Sequence, residues 1–394
     1  MESLISSTAP HSLSLEEQIA RLQALLEASR QVHSTIAVDE VLRQTARILV
    51  RELELDGALF LSAATGDPMV SYGTAPESPY EGCKRYALLA KDGSKLAELI
   101  IQGNEGSCPS LYDQDFIEGL VLQAAVALEN ATLHERDLRW ARVQQDLDAA
   151  RNIQRSLLPK AMPTISGFSI AARSMSCYEV GGDYLDTVSL PDGSHLFVVA
   201  DVAGKGMASA ILATSFRAAF RSLASQPIPL AEAVSRVGQV HWQEGEEARR
   251  RYVTAIMARL NPATRRLEVV NAGHNPGILL HASGSISRIE ASGTPLGMLP
   301  GMQYRAEVFE FPPRSRLLFY TDGLTEVFCG EEEFGCDRLI ETFRSLPTED
   351  ASGMLDEIWA ELQRFSTGGP QTDDMTALAV CHRLSAAAEE IATE

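Results

Sequence analysis

The sequence has no C-x-x-C pair; its six cysteines (Cys83, Cys108, Cys177, Cys329, Cys336 and Cys381) are scattered. That spacing argues against zinc and dithiol motifs and fits free thiols in a cytoplasmic protein. Cys329 and Cys336 are close enough in sequence to meet, but nothing requires it. No apolar run approaches the roughly 18 to 20 residues that span a bilayer, so no membrane insertion is expected. Met1–Pro10 lacks a basic segment followed by an apolar one, so no signal peptide is read. Basic residues are in deficit: 34 Lys and Arg stand against 53 Asp and Glu, a formal charge of −19. No nucleic-acid partner is expected, because a phosphate backbone needs a basic face.

What remains is an ordinary globular composition, 45% hydrophobic and 22% charged over 394 residues. That length suggests about two or three domains. Residues 1–14 are expected to be disordered. Leu15, Ile19, Leu22 and Leu26 recur at helical spacing, and the pattern continues less regularly to about Val50. Gly57–Ser62 and, more weakly, Met69–Tyr72 read as strands. Lys84–Ala90 and Lys95–Gln102 flank Asp92-Gly93, a hairpin signal. Residues 15–135 therefore read as helix, several strands, helix.

From Tyr112 to Leu158 there is no proline and only Gly119 as a breaker. Val126, Leu133, Trp140 and Leu147 fall seven residues apart, and Val143, Ala150 and Leu157 form a second series. Both suit a coiled-coil seam, and Leu158-Pro159 ends the run. Residues 136–160 are read as a dimeric linker helix; a packed domain-edge helix is the plainer alternative.

After Pro163 the pattern changes to short β-like runs: 168–172, 195–200, 252–260, 266–271, 277–281, 316–320 and 375–380. Helix-forming stretches at 209–225, 230–240 and 351–364 lie between them. Ile211, Phe216 and Phe220 are expected to be core. The class is α+β, with helices outside the sheets. Residues 384–394 read as a tail.

Aspartates stand where these strands end or beside glycines. Asp183 follows Gly181-Gly182, Asp201 ends a strand before Gly204-Lys205-Gly206, Asp322 ends another before Gly323, and Asp373-Asp374 precede Met375. A rigid strand holds such a carboxylate at a sheet edge, and oxygen-only donors select hard ions such as Mg²⁺ or Mn²⁺. Singly, each aspartate is more commonly a turn former; spacing alone does not show that they converge.

Val180-Gly-Gly-Asp-Tyr184, Ala200-Asp-Val-Ala-Gly-Lys-Gly206, Asn271-Ala-Gly-His-Asn-Pro276, Tyr320-Thr-Asp-Gly-Leu-Thr-Glu326 and Thr372-Asp-Asp-Met-Thr376 resemble the bacterial PPM-type serine/threonine phosphatases of the SpoIIE/RsbU type. Ala150-Arg-Asn-Ile-Gln154, Leu157-Leu-Pro159 and Ser292-Gly-Thr-Pro-Leu-Gly297 add to the resemblance, which covers about 147–383 and places the phosphatase domain at 161–383. It implies two packed antiparallel sheets flanked by helices and two Mn²⁺ or Mg²⁺ ions. Asp201 would bridge the ions, Asp183 and the Val202 carbonyl would complete one shell, and Asp322 and Asp373 the other. Asp374, Gly182, Gly204, Lys205, Asn271 and His274 are candidates behind the ligands or beside the phosphate. For His274, fixing its own loop is at least as good a reading. Water activated between the ions would attack phosphorus in line, with no phosphoenzyme. Ser176-Cys177 stands where many relatives have Pro-Ala, which implies a changed loop with the metal site kept. Gly-Gly-Asp also occurs in diguanylate cyclases, but the continuation Tyr184-Leu185 does not match theirs.

Residues 15–135 resemble a GAF sensory domain, on the order of elements and the ending Leu122-Gln-Ala-Ala-Val-Ala-Leu-Glu-Asn-Ala131; a PAS domain is the alternative. Cys83 and Cys108 are read as ordinary small residues, and no ligand is identified. The resemblances imply a phosphorylated STAS-domain substrate, a homodimer through Leu133, Trp140, Leu147 and Leu157, and an unknown signal at the sensor. The competing reading is a catalytically silent dimeric scaffold.

Overall fold

The computed structural model describes residues 15–103, 111–346, 350–369 and 371–384. The expected disordered start, Cys108 and all of the expected tail but Leu384 lie outside the described residues. The chain divides into two compact units, at Gln144/Gln145.

In the first unit, helices α1 (Leu15–Val32) and α2 (Val38–Glu52) precede strands β1 (Gly57–Ser62), β2 (Pro68–Gly73), β3 (Lys84–Leu89) and β4 (Lys95–Gln102). The strands form an antiparallel sheet in the order β2-β1-β4-β3. The hairpin expected at Asp92-Gly93 joins β3 to β4. The single N-terminal helical pattern resolves into two helices, broken between Val32 and Val38. The stripe expected on α1 also faces outward: Ile19, Leu22 and Leu26 are exposed, whereas Ala28 and Val32 are buried.

Helix α3 (Leu111–Leu157) contains the division between the units. Contrary to expectation, a stretch within Asp113–Leu157 is long and apolar enough to cross a membrane by length and composition, at mean hydropathy 1.3. Alanines and isolated polar residues disguise it in the sequence. Its Ile117, Leu120, Ala124 and Leu128 pack into the core of the first unit. Along the expected seam, Leu133, Trp140 and Val143 are 50%, 62% and 49% exposed, while Leu147 and Leu157 are half-buried.

The second unit runs β5 (Phe168–Met175), β6 (Asp183–Ser189), β7 (His195–Val202), α4 (Met207–Ala224), α5 (Leu230–Gln243), α6 (Glu246–Arg250), β8 (Val253–Asn261), β9 (Arg266–Ala272), β10 (Gly277–Leu280), β11 (Ile286–Ile289), β12 (Glu307–Glu310), β13 (Arg316–Tyr320), β14 (Phe328–Cys329), β15 (Glu332–Glu333), α7 (Gly335–Ser345), α8 (Ala351–Ser366) and β16 (Met375–His382). Two five-stranded antiparallel sheets result, ordered β12-β9-β8-β7-β6 and β11-β10-β13-β16-β5. Central strands are apolar on both faces because both faces are covered. In β7, Phe197 and Val199 enter the core between the sheets, while Leu196, Val198 and Ala200 pack with Phe216 and Phe220 of α4. In β13, Leu317 and Phe319 face the other sheet, and Leu318 and Tyr320 pack with Trp359 of α8. Ile211, expected to be core, is 61% exposed. Phe216 and Phe220 lie five and nine residues further along α4, and a 3.6-residue turn puts Ile211 on another face.

Candidate active site

Strand ends of both sheets bring the predicted aspartates together. Asp183 opens β6 and stands directly opposite Asp201 near the end of β7. Asp322 begins a short 3₁₀ turn just after β13, and Asp373-Asp374 lead into β16, which pairs with β13. Thr321 ties these pieces. Its hydroxyl donates to Asp183 Oδ2 at 2.8 Å and accepts from the Thr376 backbone N–H at 2.9 Å, while its own N–H donates to the Thr376 carbonyl at 2.9 Å.

Asp374 holds a loop. Its Oδ1 accepts from the Cys177 N–H at 2.8 Å and its Oδ2 from the Gly182 N–H at 2.7 Å. Two glycines are required by close approach: a Cβ on Gly182 would lie 2.8 Å from the Val202 carbonyl oxygen, and one on Gly323 only 2.0 Å from the Asp374 carbonyl oxygen. Ser176-Cys177 belongs to this wrapped loop, and the Cys177 thiol donates to the Gln371 carbonyl at 3.2 Å. Lys205 pairs with Asp373 Oδ2 at 2.8 Å and donates to the Thr372 carbonyl at 2.8 Å.

The carboxylates repel one another in a dry setting. Asp183 is pushed well up, first by burial and then by the Asp201 charge. Burial, followed by Asp322, Asp373 and Asp374, raises Asp201 to about 7. Asp322 is raised by burial and by Asp373, and Glu326 by burial and then Asp322. For Asp374, burial outweighs the loop hydrogen bonds that favour its charge. A divalent cation would relieve this repulsion, and oxygen donors suit Mg²⁺ or Mn²⁺. Among the described residues, no three His, Cys, Asp or Glu side chains close into a finished ligand set. The donor chemistry fits hard ions; ion binding would have to draw the carboxylates in.

Asn271 and His274 serve their own turn. Asn271 Oδ1 accepts from the His274 N–H at 2.8 Å, and its amide donates to the carbonyls of His274, Asn275 and Ile289 at 3.1 to 3.3 Å. The His274 ring meets Thr254 Oγ1 at 2.8 Å, and burial pushes its pKa down to about 4.

Sequence reasoning assigned no role to Thr321, although it sits inside a quoted motif. Gln154 was likewise missed. It pairs with the Gly181 backbone on both sides, donating to the carbonyl at 2.7 Å and accepting from the N–H at 3.2 Å. Its position in the Ala150–Gln154 lead-in, ahead of a strand-rich region, was the available signal.

Comparison with known proteins agrees with this architecture. Residues 191–383 match the family model described as Stage II sporulation protein E (SpoIIE), a span that includes Asp201, Asp322 and Asp373. Protein IcfG of Synechocystis is 25% identical over 344 residues, covering 79% of this chain and 51% of that protein. Phosphoserine phosphatase RsbP of Bacillus subtilis is 26% identical over 235 residues, covering 59% of this chain and 56% of that protein. The chain thus spans about half the length of these curated relatives. The SiaA-PP2C domain of Pseudomonas aeruginosa superposes with a TM-score of 0.54 at 22% identity, covering 63% of this chain and 99% of that domain, and so shares the fold. The second unit thus carries the match to the SpoIIE family model and shares the fold of that PP2C domain.

Proposed function

We propose that the chain is a metal-dependent protein serine/threonine phosphatase. The observation that carries this is the meeting of Asp183, Asp201, Asp322 and Asp373 at the strand ends of two sheets, with mutual repulsion that calls for cations. Two Mn²⁺ or Mg²⁺ ions, when bound, supply an activated water and neutralise phosphoryl charge. Asp201 stands opposite Asp183 and feels the charges of Asp322 and Asp373, so it would be the carboxylate shared by both ions. Asp183, oriented by Thr321, and the Val202 carbonyl would serve one ion; Asp322 and Asp373 would serve the other. Asp374 fixes the 177–182 loop behind them, Gly182 lets the Val202 carbonyl come close, and Gly204 leaves room for the Arg251 side chain. Lys205 holds Asp373.

The substrate is read as a phosphorylated STAS-domain protein of a cytoplasmic partner-switching system. The first unit, with its helices and four-stranded sheet, is read as a GAF-like sensor. Its signal would act through α3, where Gln154 touches the loop leading to Asp183. The exposed Leu133, Trp140 and Val143 support a homodimer along this helix.

The test is phosphate release from a phosphorylated STAS protein with Mn²⁺ titrated, and Asp201→Asn beside wild type. Mn²⁺-dependent release that disappears in the variant is expected. Release that is indifferent to the substitution would overturn the proposal, and absence of release would favour the silent scaffold.

A further inference from the structure

We infer that Arg251 binds the phosphoryl oxygens of the substrate, a role that rests on the phosphatase reading above. Strand register sets its place. In the β7–β8 pair, Asp201 lies opposite Thr254 and Val202 opposite Val253. The residues before β8 therefore run beside the turn that follows Asp201, and the Ala203 N–H donates to the Tyr252 carbonyl at 2.9 Å. Arg251, one residue earlier, lays its guanidinium against Gly204: a Cβ there would fall 2.3 Å from Nη1. Gly204 also has a φ of +101°, so glycine is required twice, for its backbone and for the room it leaves the arginine.

Arg251 differs from its neighbours in having nothing to hold. Arg249 stacks on Trp242 and donates to its carbonyl at 2.9 Å, and Arg250 pairs with Glu246 and Glu247 at 3.3 and 3.4 Å. Arg251 is half-buried, and its guanidinium, among the described residues, makes no hydrogen bond, ion pair or ring contact. In a chain with 19 excess negative charges, a partly desolvated cation without an anion is a poor structural choice. Its backbone, by contrast, is pinned. The Arg251 N–H donates to the Ala248 carbonyl at 3.0 Å, and its carbonyl meets His241 Nε2 at 2.9 Å. The other cation of the turn, Lys205, is engaged by Asp373. A group of carboxylates repels a phosphate dianion on approach, so a free guanidinium at its rim supplies the missing attraction. Its planar fork of donors fits two phosphoryl oxygens at once.

The test compares wild type, Arg251→Gln and Arg251→Lys with Mn²⁺ present. Kinetics are measured on para-nitrophenyl phosphate and on a phosphoserine protein, with inorganic phosphate as inhibitor and Mn²⁺ binding followed by electron paramagnetic resonance. Losing one bidentate charged contact should raise KM for both substrates, and Ki for phosphate, by about 10- to 100-fold. Mn²⁺ affinity and melting temperature should stay put, kcat should move much less than KM, and Arg251→Lys should recover part of the loss. Unchanged KM and Ki would overturn the assignment. So would a KM rise confined to the phosphoprotein, which would place the arginine on the polypeptide. A wild type inert towards both substrates would count against the phosphatase reading instead. Calorimetric titration of inorganic phosphate into Mn²⁺-loaded wild type and Arg251→Gln would then decide Arg251 alone, equal affinity refuting it.

Discussion

Replacing Gln154 tests whether the end of α3 holds the loop that carries Asp183. The side-chain amide makes two hydrogen bonds to one peptide unit, at 2.7 and 3.2 Å from the Gly181 carbonyl and N–H. Gly181 is tightly confined: a Cβ there would lie 2.3 Å from Asp374 Oδ2, and the next residue donates to that same oxygen. A further contact holds the helix end, from Arg217 Nε to the Leu157 carbonyl at 3.1 Å. Gln154→Ala removes both amide bonds. At about 1 kcal/mol net for each, the docked loop loses ~2 kcal/mol. That is roughly a 30-fold shift in the equilibrium constant. If docking places Asp183 beside Asp201, the Mn²⁺ needed for half-maximal phosphate release should rise by up to that factor, while kcat at saturating Mn²⁺ changes little. Gln154→Glu keeps an acceptor for the Gly181 N–H but sets a carboxylate against the carbonyl, so it should be no better than alanine. Thermal melting by circular dichroism checks that both variants fold. An unaltered Mn²⁺ dependence in folded Gln154→Ala would refute the coupling.

Three other perturbations follow from the same coordinates. Arg221 forms a two-pronged pair with fully buried Asp186, at 2.6 and 2.7 Å; Arg221→Ala should cost about 3 kcal/mol in urea unfolding, the low end for buried pairs because the guanidinium is half exposed. An unchanged midpoint would show that Tyr184, which also donates to Asp186, satisfies the carboxylate alone. His274 is kept neutral by burial, with its pKa lowered to about 4, so its contribution is present above about pH 6.5 and lost as pH falls through 4, worth ~3 kcal/mol in all. His274→Gln should flatten that acid arm, and an equally steep arm in the variant would count against it. Trp140→Glu should dissociate the proposed dimer in sedimentation velocity, since the indole is 62% exposed and has space for a partner; a persisting dimer would place the interface elsewhere.

How far the sequence disclosed this protein depended on whether a feature was local. Strands β7, β13 and β16 were legible because apolar runs bounded by aspartate and glycine mark strands buried on both faces. β6 was not, since Asp183-Tyr-Leu-Asp-Thr-Val-Ser189 mixes charge with apolar residues. There Asp186 is buried by a partner, Arg221, that comes from α4, 35 residues away. Ile19, Leu22 and Leu26 show the converse. Their spacing announced an apolar face correctly, but periodicity does not say what covers it, and in the single chain it lies open. The roles of Gln154 and Arg251 were hidden for the same reason: each depends on a glycine reached only through the fold.

The grouping of carboxylates costs the metal-free domain stability. Ionising Asp201 with a pKa near 7, against about 4 in an unfolded chain, opposes folding increasingly as pH rises between those values. The fold sustains this because the surrounding groups hold the site by hydrogen bonds rather than by opposing charge. Thr321 joins the two sheets to Asp183, and Asp374 is caged by the N–H groups of Cys177 and Gly182. Of the two cations at the Asp201 turn, Lys205 neutralises Asp373 and Arg251 has no partner among the described residues. A centre that is under-neutralised within a rigid frame would draw in divalent cations, and the guanidinium beside it would draw in a phosphate. On the proposed reading the excess carboxylate and the unpaired arginine are thus two parts of one arrangement, in which the ligands themselves would complete the charge balance that the chain leaves open.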